Sequence, residues 1–319
     1  MRRHAVAALA ACLAVTALAS APAARAADSA AGRWAITTRS DKPDSVQLRL
    51  EYQEVEGGSN WSSSWSFPLP AAEAGIPMDR LRGPIGPVSF QIQREPGTFN
   101  CTGSAGEGSG AGQFTYAQSA RFDDALAARG AGRPTYKQSL ELALANASLD
   151  FVDKLRAASG RATVADVVKA LQHGVSPRYL NELAATGYRG LSIEQLVRLR
   201  DHGVGVDLIR AMQAAGYRLS PDDLVRLSDH GVNEKYLSAM RAAGYTNLTA
   251  EQFVTLRDHG VTTKFVADMA GAGYKNLSAD DLVALRDHGV NIAFVDHLRA
   301  HGYNNLSVRD LIRLRDSGF

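Results

Sequence analysis

The sequence contains little cysteine, with Cys12 and Cys101 the two such residues among 319. We expect Cys12 to be removed with an N-terminal export signal, so the mature chain would keep one thiol and could form no intramolecular disulfide. Its fold must then be stabilised by packing alone. Cys101 shares a predicted strand face with Phe99, which favours a buried, unreactive thiol over a reactive or intermolecular cysteine.

The chain also has little net charge, because 35 lysines and arginines against 33 acidic residues give +2. Removal of residues 1–26 subtracts three arginines and no acidic residue, which leaves 32 basic and 33 acidic side chains and a net charge of −1. Such a chain has no net attraction to nucleic-acid phosphates or anionic lipids, so we expect no nucleic-acid partner. The 45% hydrophobic and 21% charged content excludes a disordered chain and a polytopic membrane protein.

Familiar catalytic and cofactor motifs are missing from the sequence. Neither G-x-S-x-G nor H-E-x-x-H occurs, and the glycine-rich stretch 103–112 is not followed by the lysine and helix start of a phosphate-binding loop. We therefore predict no catalytic residue, no cofactor and no enzymatic activity. A hydrolase with an unrecognised site is a remote alternative.

Residues 1–26 have the three parts of a secretory signal peptide. Arg2 and Arg3 precede an apolar run over 5–19, and a small-x-small cleavage site ends at Ala26. This predicts a periplasmic or extracellular protein without a transmembrane segment after cleavage. Lipoprotein anchoring at Cys12 is the weaker alternative, because the apolar run continues beyond that cysteine.

Residues 28–118 alternate apolar and polar side chains with a period of two, as in Val46, Leu48 and Leu50. Six short segments share this pattern, which predicts a small antiparallel β-sandwich or open barrel. We call this part the β-module. The stretch from Gly103 to Gly112 is almost wholly Gly, Ser and Ala and is expected to be a flexible hairpin loop.

One strand of the β-module carries Trp61 and Trp65 opposite a row of serines. Alternate tryptophans of this kind can stack on sugar rings, so a carbohydrate or peptidoglycan site is one interpretation. The favoured interpretation is a one-sided apolar core, because every other predicted strand also has one apolar face.

Beyond residue 130 the periodicity becomes helical, with a repeat of about 29 residues. In each unit, a first helix begins at Ser or Thr followed three residues later by Asp or Gln, and a second helix begins after His-Gly-Val. This pattern predicts a linker helix region over 119–147 and helical hairpins, arranged like an α-solenoid, over 148–319. The predicted fold class is α+β in separate domains. The His-Gly-Val motifs start at His173, His202, His230, His259 and His288.

An aspartate precedes the motif histidine in four units, and both residue types bind metals. Helices that pack roughly 8–10 Å apart keep successive imidazoles too far apart to share a zinc ion, so capping of the helix end is the favoured role. We expect the arginines just before three of these aspartates, and the one before Asp316, to form surface ion pairs. The weak metal candidates are His202, His230, His259 and His288, and the arginines are Arg200, Arg257, Arg286 and Arg315.

One position of the first helix varies from unit to unit, and we predict that it determines partner specificity. The residues at this position are Arg198, Arg226, Thr255, Ala284 and Arg313.

The stretch 90–103, with the sequence FQIQREPGTFNCTG, and the repeat segment 273–282, GYKNLSADDL, resemble an uncharacterised group of bacterial exported proteins. These proteins combine a similar β-module with similar helical units, and related units occur in the extracytoplasmic part of BlaR1-type sensor metallopeptidases. The resemblance carries over no catalytic residue, because the membrane helices and the H-E-x-x-H motif of those peptidases are missing here. It implies a link to envelope sensing.

The sequence thus predicts an exported, non-enzymatic binding or scaffold protein whose repeats contact another envelope or secreted protein. The alternative is an envelope carbohydrate or peptidoglycan binder that uses Trp61 and Trp65.

Overall fold

The computed structural model describes residues 31–56 and 59–319, without the side chains of residues 31, 53–65 and 67. The predicted signal peptide over 1–26 and Cys12 lie outside the described residues. The longest helix in the described part has 11 residues, and none there is long and apolar enough to cross a bilayer.

Six antiparallel strands form one sheet in the order β3-β2-β1-β6-β5-β4, which curves into a half-barrel. The predicted antiparallel β-module is therefore confirmed, but as a single sheet and not as two stacked sheets within the described range. The strands are β1 (Ala31–Thr38), β2 (Ser45–Glu56), β3 (Ser59–Pro70), β4 (Gly86–Arg94), β5 (Gly97–Gly106) and β6 (Ser109–Gln118).

The glycine-rich stretch 103–112 is strand rather than flexible loop. Strands β5 and β6 extend through it and are joined by a two-residue turn at Glu107 and Gly108. These residues have φ values of 51° and 84°, and a turn with two positive φ values matches the twist of a hairpin. The glycines allow the two strands to pair closely, as between Gly103 and Gly112. The prediction of a flexible loop over 103–112 was therefore wrong.

One face of the sheet is buried and the other is exposed, as the alternating pattern predicts. Trp34, Phe99 and Phe114 are among the largest fully buried side chains. Two short helices, α1 (Ala71–Ala74) and α2 (Met78–Arg82), cover part of this face. Cys101 is buried there, and burial raises the pKa of its thiol to about 12, so the prediction of a buried thiol is confirmed and the group stays protonated at neutral pH.

The segment after the sheet contains α3 (Ala120–Ala128) and α4 (Tyr136–Leu144). Helix α4 packs on the buried sheet face through Leu140 and Leu144. The buried Tyr116 hydroxyl of β6 donates to the Pro96 carbonyl oxygen at 2.7 Å and lies 2.8 Å from Ser139 Oγ of α4. Burial raises the pKa of Tyr116. These contacts dock α4 onto the β-module.

The remaining helices form the repeat array, in which each helix contacts the helix two positions earlier. Two layers result, one containing the first helices of the repeats and the other containing the second helices. The first helices are α6 (Val164–Gln172), α8 (Ile193–Asp201), α10 (Pro221–Asp229), α12 (Ala250–Asp258), α14 (Ala279–Asp287) and α16 (Val308–Asp316). The second helices are α5 (Leu149–Ser159), α7 (Pro177–Ala185), α9 (Val206–Ala214), α11 (Glu234–Ala242), α13 (Thr263–Gly271) and α15 (Ile292–Ala300).

Local signals at the helix ends account for these boundaries. Every first helix has a Ser or Thr N-cap whose side-chain oxygen accepts a backbone N–H three residues on, and five of the six have the reciprocal capping box. The exception is α16, where the Ser307 side chain caps the helix without that reciprocal bond. A glycine with positive φ follows each motif histidine, for example Gly260 at +68°.

Candidate interaction surface

The motif histidines link consecutive repeats along the edge of the array where the first helices end. Each histidine is the C-cap residue of one first helix, and its Nδ1 lies 2.5 to 2.8 Å from an Asp carboxylate at the end of the next first helix. The five pairs, which we call the His–Asp ladder, are His173–Asp201, His202–Asp229, His230–Asp258, His259–Asp287 and His288–Asp316.

The ladder accounts for the regular spacing of the motif by a contact between consecutive repeats. Each imidazole is paired with one carboxylate from the following repeat, and within the described ranges no three His, Cys, Asp or Glu side chains are grouped to hold a metal. The imidazoles are 37–43% exposed and the carboxylates 42–52% exposed. Solvent screening therefore limits each pair to less than about 1 kcal/mol.

The arginines before these aspartates lie over aromatic rings, so the expectation of surface ion pairs is wrong for them. Arg200 lies 4.8 Å from the ring centre of Tyr179, which belongs to the second helix of the preceding repeat. Its Nε also donates to the Gly174 carbonyl oxygen at 3.1 Å. The other stacked pairs are Arg257 on Tyr236 at 4.9 Å, Arg286 on Phe265 at 5.2 Å and Arg315 on Phe294 at 5.1 Å.

Each stacked arginine occurs with an aromatic ring, although the first repeat has the ring, Phe151, with Leu171 at the arginine position. In the one repeat where the aromatic residue is replaced by Leu208, the arginine is replaced by Ser228. The Ser228 hydroxyl instead donates to the carbonyl oxygen of His202 at 2.8 Å. Because the guanidinium is present only where it has a ring to cover, the stack is a unit of the repeat.

Installing the missing stack gives a direct test of this unit. We expect L208Y combined with S228R to be more stable than the sum of the two single variants predicts, with a coupling of roughly 0.5–2 kcal/mol. Chemical denaturation followed by far-UV circular dichroism measures the double-mutant cycle. L208M with S228R is the matched control, because it adds the guanidinium without a ring and should show no coupling. Additive effects of L208Y and S228R would contradict the stack.

The predicted specificity position lies on the outer side of the first-helix layer, where it forms a second row of contacts between repeats. Arg198 lies 2.8 Å from Asp222, Arg226 is ion-paired with Glu251, and Lys169 lies 3.4 Å from Glu194. We call these contacts the outer ion-pair row. Each acidic residue belongs to the first turn of the next first helix, so this row also joins neighbouring repeats.

The outer ion-pair row stops in the second half of the array. Thr255 and Ala284 occupy the basic position there, so the corresponding acidic site, Asp280, has no ion pair among the described residues. The next site in the row is Arg309 rather than an acid. The half-buried Val283 and Ile312 flank these positions. This part of the surface, defined by Thr255, Asp280, Ala284, Arg309 and Arg313, is called the open patch.

The tryptophans of the alternative hypothesis lie in a part of β3 whose side chains are outside the described set. The backbone pairs Trp65 with Leu50 and Trp61 with Glu54. Sugar stacking by Trp61 and Trp65 therefore stays a prediction.

Sequence reasoning identified the histidines and the variable positions but missed their partners. The ladder carboxylates come from the next repeat, 27 or 28 residues along the chain. The repeat period contains this signal, because an aspartate follows every motif histidine at nearly the same interval.

The chain matches no protein-family model, and no curated protein is significantly similar to it.

Proposed function

We propose that this protein is an exported, non-enzymatic binding or scaffold protein whose helical repeats contact another envelope or secreted protein. The observation that carries the proposal is the interruption of the outer ion-pair row at Thr255 and Ala284. Export rests on the signal-like sequence of residues 1–26. A stacked array of this kind offers a long surface that suits binding to an extended or helical partner segment.

The open patch is the part of this surface that is best suited to an external partner. In the first half of the array, Arg198 and Arg226 form ion pairs with Asp222 and Glu251. These arginines are therefore less available to a partner. In the open patch, the Asp280 carboxylate is exposed beside small side chains. Because Thr255 and Ala284 replace the basic side chains, the open patch has room for the side chains of a partner and an exposed carboxylate for them to contact.

The charge order of the open patch suggests what the partner carries. Asp280 and Arg309 occupy the same position in consecutive first helices, so their backbones are roughly 8–10 Å apart. A partner segment with a basic residue facing Asp280 and an acidic residue facing Arg309 would complete the two missing ion pairs. The half-buried Val283 and Ile312 would add apolar contact.

Completing the row within the chain should block the partner. T255R places a guanidinium opposite Asp280 in the register of the Arg226–Glu251 pair, and A284E places a carboxylate opposite Arg309. We expect the T255R/A284E protein to keep its stability, because exposed ion pairs change stability by less than about 1 kcal/mol, and to lose its partner. Crosslinking and mass spectrometry on an envelope fraction, with wild-type and variant baits in parallel, measure this.

The matched control is R198A, which opens the row in the first half of the array. It should recover the same partner as the wild-type bait. Equal recovery by the T255R/A284E bait would place the binding face elsewhere, and loss of recovery by R198A alone would favour the first half of the array.

A further inference from the structure

Two histidines at the end of α15 form a pair that no other repeat contains. His297 and His301 are four residues apart, so they lie on one side of the helix, and their ring centres are 4.3 Å apart with planes inclined at 49°. The equivalent positions in the other repeats carry no histidine. They are Lys154 and Ala158, Glu182 and Thr186, Ala211 and Ala215, Ala239 and Ala243, and Asp268 and Ala272. The repeat scaffold therefore does not require the pair.

A hydrogen bond within the pair sets the proton position on His301. Its Nδ1 lies 2.9 Å from the carbonyl oxygen of His297, and a carbonyl oxygen can only accept. Nδ1 therefore donates its proton in the neutral ring, which leaves a lone pair on Nε2. Histidines that bind metals are commonly oriented by such a bond from the other ring nitrogen to a backbone carbonyl.

The surroundings of the two rings differ from those of the ladder histidines and favour the binding of a cation. In contrast to the ladder histidines, neither ring is bonded to a carboxylate in the described part of the chain. The Phe319 ring lies 6.0 Å from the His297 ring and 6.2 Å from the His301 ring. The nearby Arg299 guanidinium donates to the Ala272 carbonyl oxygen of the preceding repeat and lies 4.0 Å from Asp296. Its partners are therefore groups other than the two imidazoles.

We infer that His297 and His301 form a two-imidazole site for a divalent transition-metal cation. Two nitrogens bound at right angles to one ion at about 2.0–2.1 Å are about 3 Å apart, and rings with centres 4.3 Å apart reach this spacing by small side-chain rotations. Imidazole ligands and the general affinity order favour Cu²⁺ over Ni²⁺ and Zn²⁺. Water completes the coordination, because no third His, Cys, Asp or Glu in the described ranges joins the pair.

Calorimetric titration of the untagged protein with Cu²⁺, in a buffer that does not chelate metals, tests the site. We expect H297N and H301N each to weaken Cu²⁺ binding by about tenfold or more, and we expect Ni²⁺ to bind more weakly than Cu²⁺ in the wild-type protein. The matched control is H259N, which removes an imidazole bonded to Asp287 and should leave the Cu²⁺ affinity unchanged.

A second measurement separates metal binding from folding. Both rings are exposed, so H297N and H301N should keep the far-UV circular dichroism spectrum and melting temperature of the metal-free wild type. Cu²⁺ should raise the melting temperature of the wild type but not of the variants. If H297N and H301N bind Cu²⁺ as tightly as the wild type, or if H259N weakens binding as much as they do, the inference is wrong.

Discussion

Replacement of Gly112 by valine should destabilise the β-module by about 3 kcal/mol or more. Gly112 of β6 pairs with Gly103 of β5 and with Trp34 of β1, so it lies inside the sheet. A Cβ atom there would overlap the backbone carbonyl of Thr102 and lie 2.7 Å from the Cα of Gly103. No side-chain rotation relieves this contact, because the backbone fixes the position of Cβ. The strands must separate to admit it, at the cost of their hydrogen bonds.

Tryptophan fluorescence reports on this region selectively, because Trp34, Trp61 and Trp65 are the only tryptophans and all precede the repeats. We expect G112V to unfold at a much lower denaturant concentration by fluorescence, with much of the helical circular dichroism retained. The matched control, A111V, places a valine one residue earlier, on the exposed face where a Cβ is already present, and should change stability by less than about 0.5 kcal/mol. A wild-type fluorescence transition in G112V would contradict the close packing of β5 and β6.

The helices of the array were predictable because their signals are local. Capping boxes such as Ser192 with Gln195, and the glycine after each motif histidine, lie within a few residues of the boundary that they specify. Alternation likewise identified the buried side chains of the strands. The strand order was not predictable in this way, because the pairing of β1 with β6 joins Ile36 to Gly110 across the whole β-module.

The glycine-rich hairpin was misread for a related reason. Gly, Ser and Ala are common in flexible loops, and the same small residues allow two strands to approach closely. The distinction depends on which residue lies opposite each glycine, as Gly103 lies opposite Gly112. A single sequence does not contain that information in local form.

The candidate surface was predictable in its positions but not in its contacts. The variable positions followed from comparison of the repeats, whereas the partner of each side chain belongs to a neighbouring repeat. Arg200 illustrates this, because acidic residues are its neighbours in sequence and the Tyr179 ring is its neighbour in space. The sequence does contain a sign of this contact, because one repeat replaces both the ring, by Leu208, and the arginine, by Ser228.

Truncation of Phe253 should strongly destabilise the array, with a loss of about 3–5 kcal/mol in F253A. Phe253 of α12 is fully buried. Its ring meets the edges of two rings from the preceding repeats, with centres 6.2 Å from Tyr217 and 6.4 Å from Tyr236. Alanine would therefore leave a cavity at the contact between repeats, where the stability of a stacked array arises.

The matched control is F253L, since leucine occupies this position in the repeats at Leu196, Leu224, Leu282 and Leu311. Leucine fills most of the space, so its cost should be about 1 kcal/mol. Far-UV circular dichroism during denaturation measures both losses, and hydrogen exchange locates them. Because each repeat contacts its neighbours, exchange in F253A should accelerate in α11–α14 before it does so in α5–α7. Equal stability of F253A and F253L, or uniform acceleration across the array, would contradict a core assembled from contacts between neighbouring repeats.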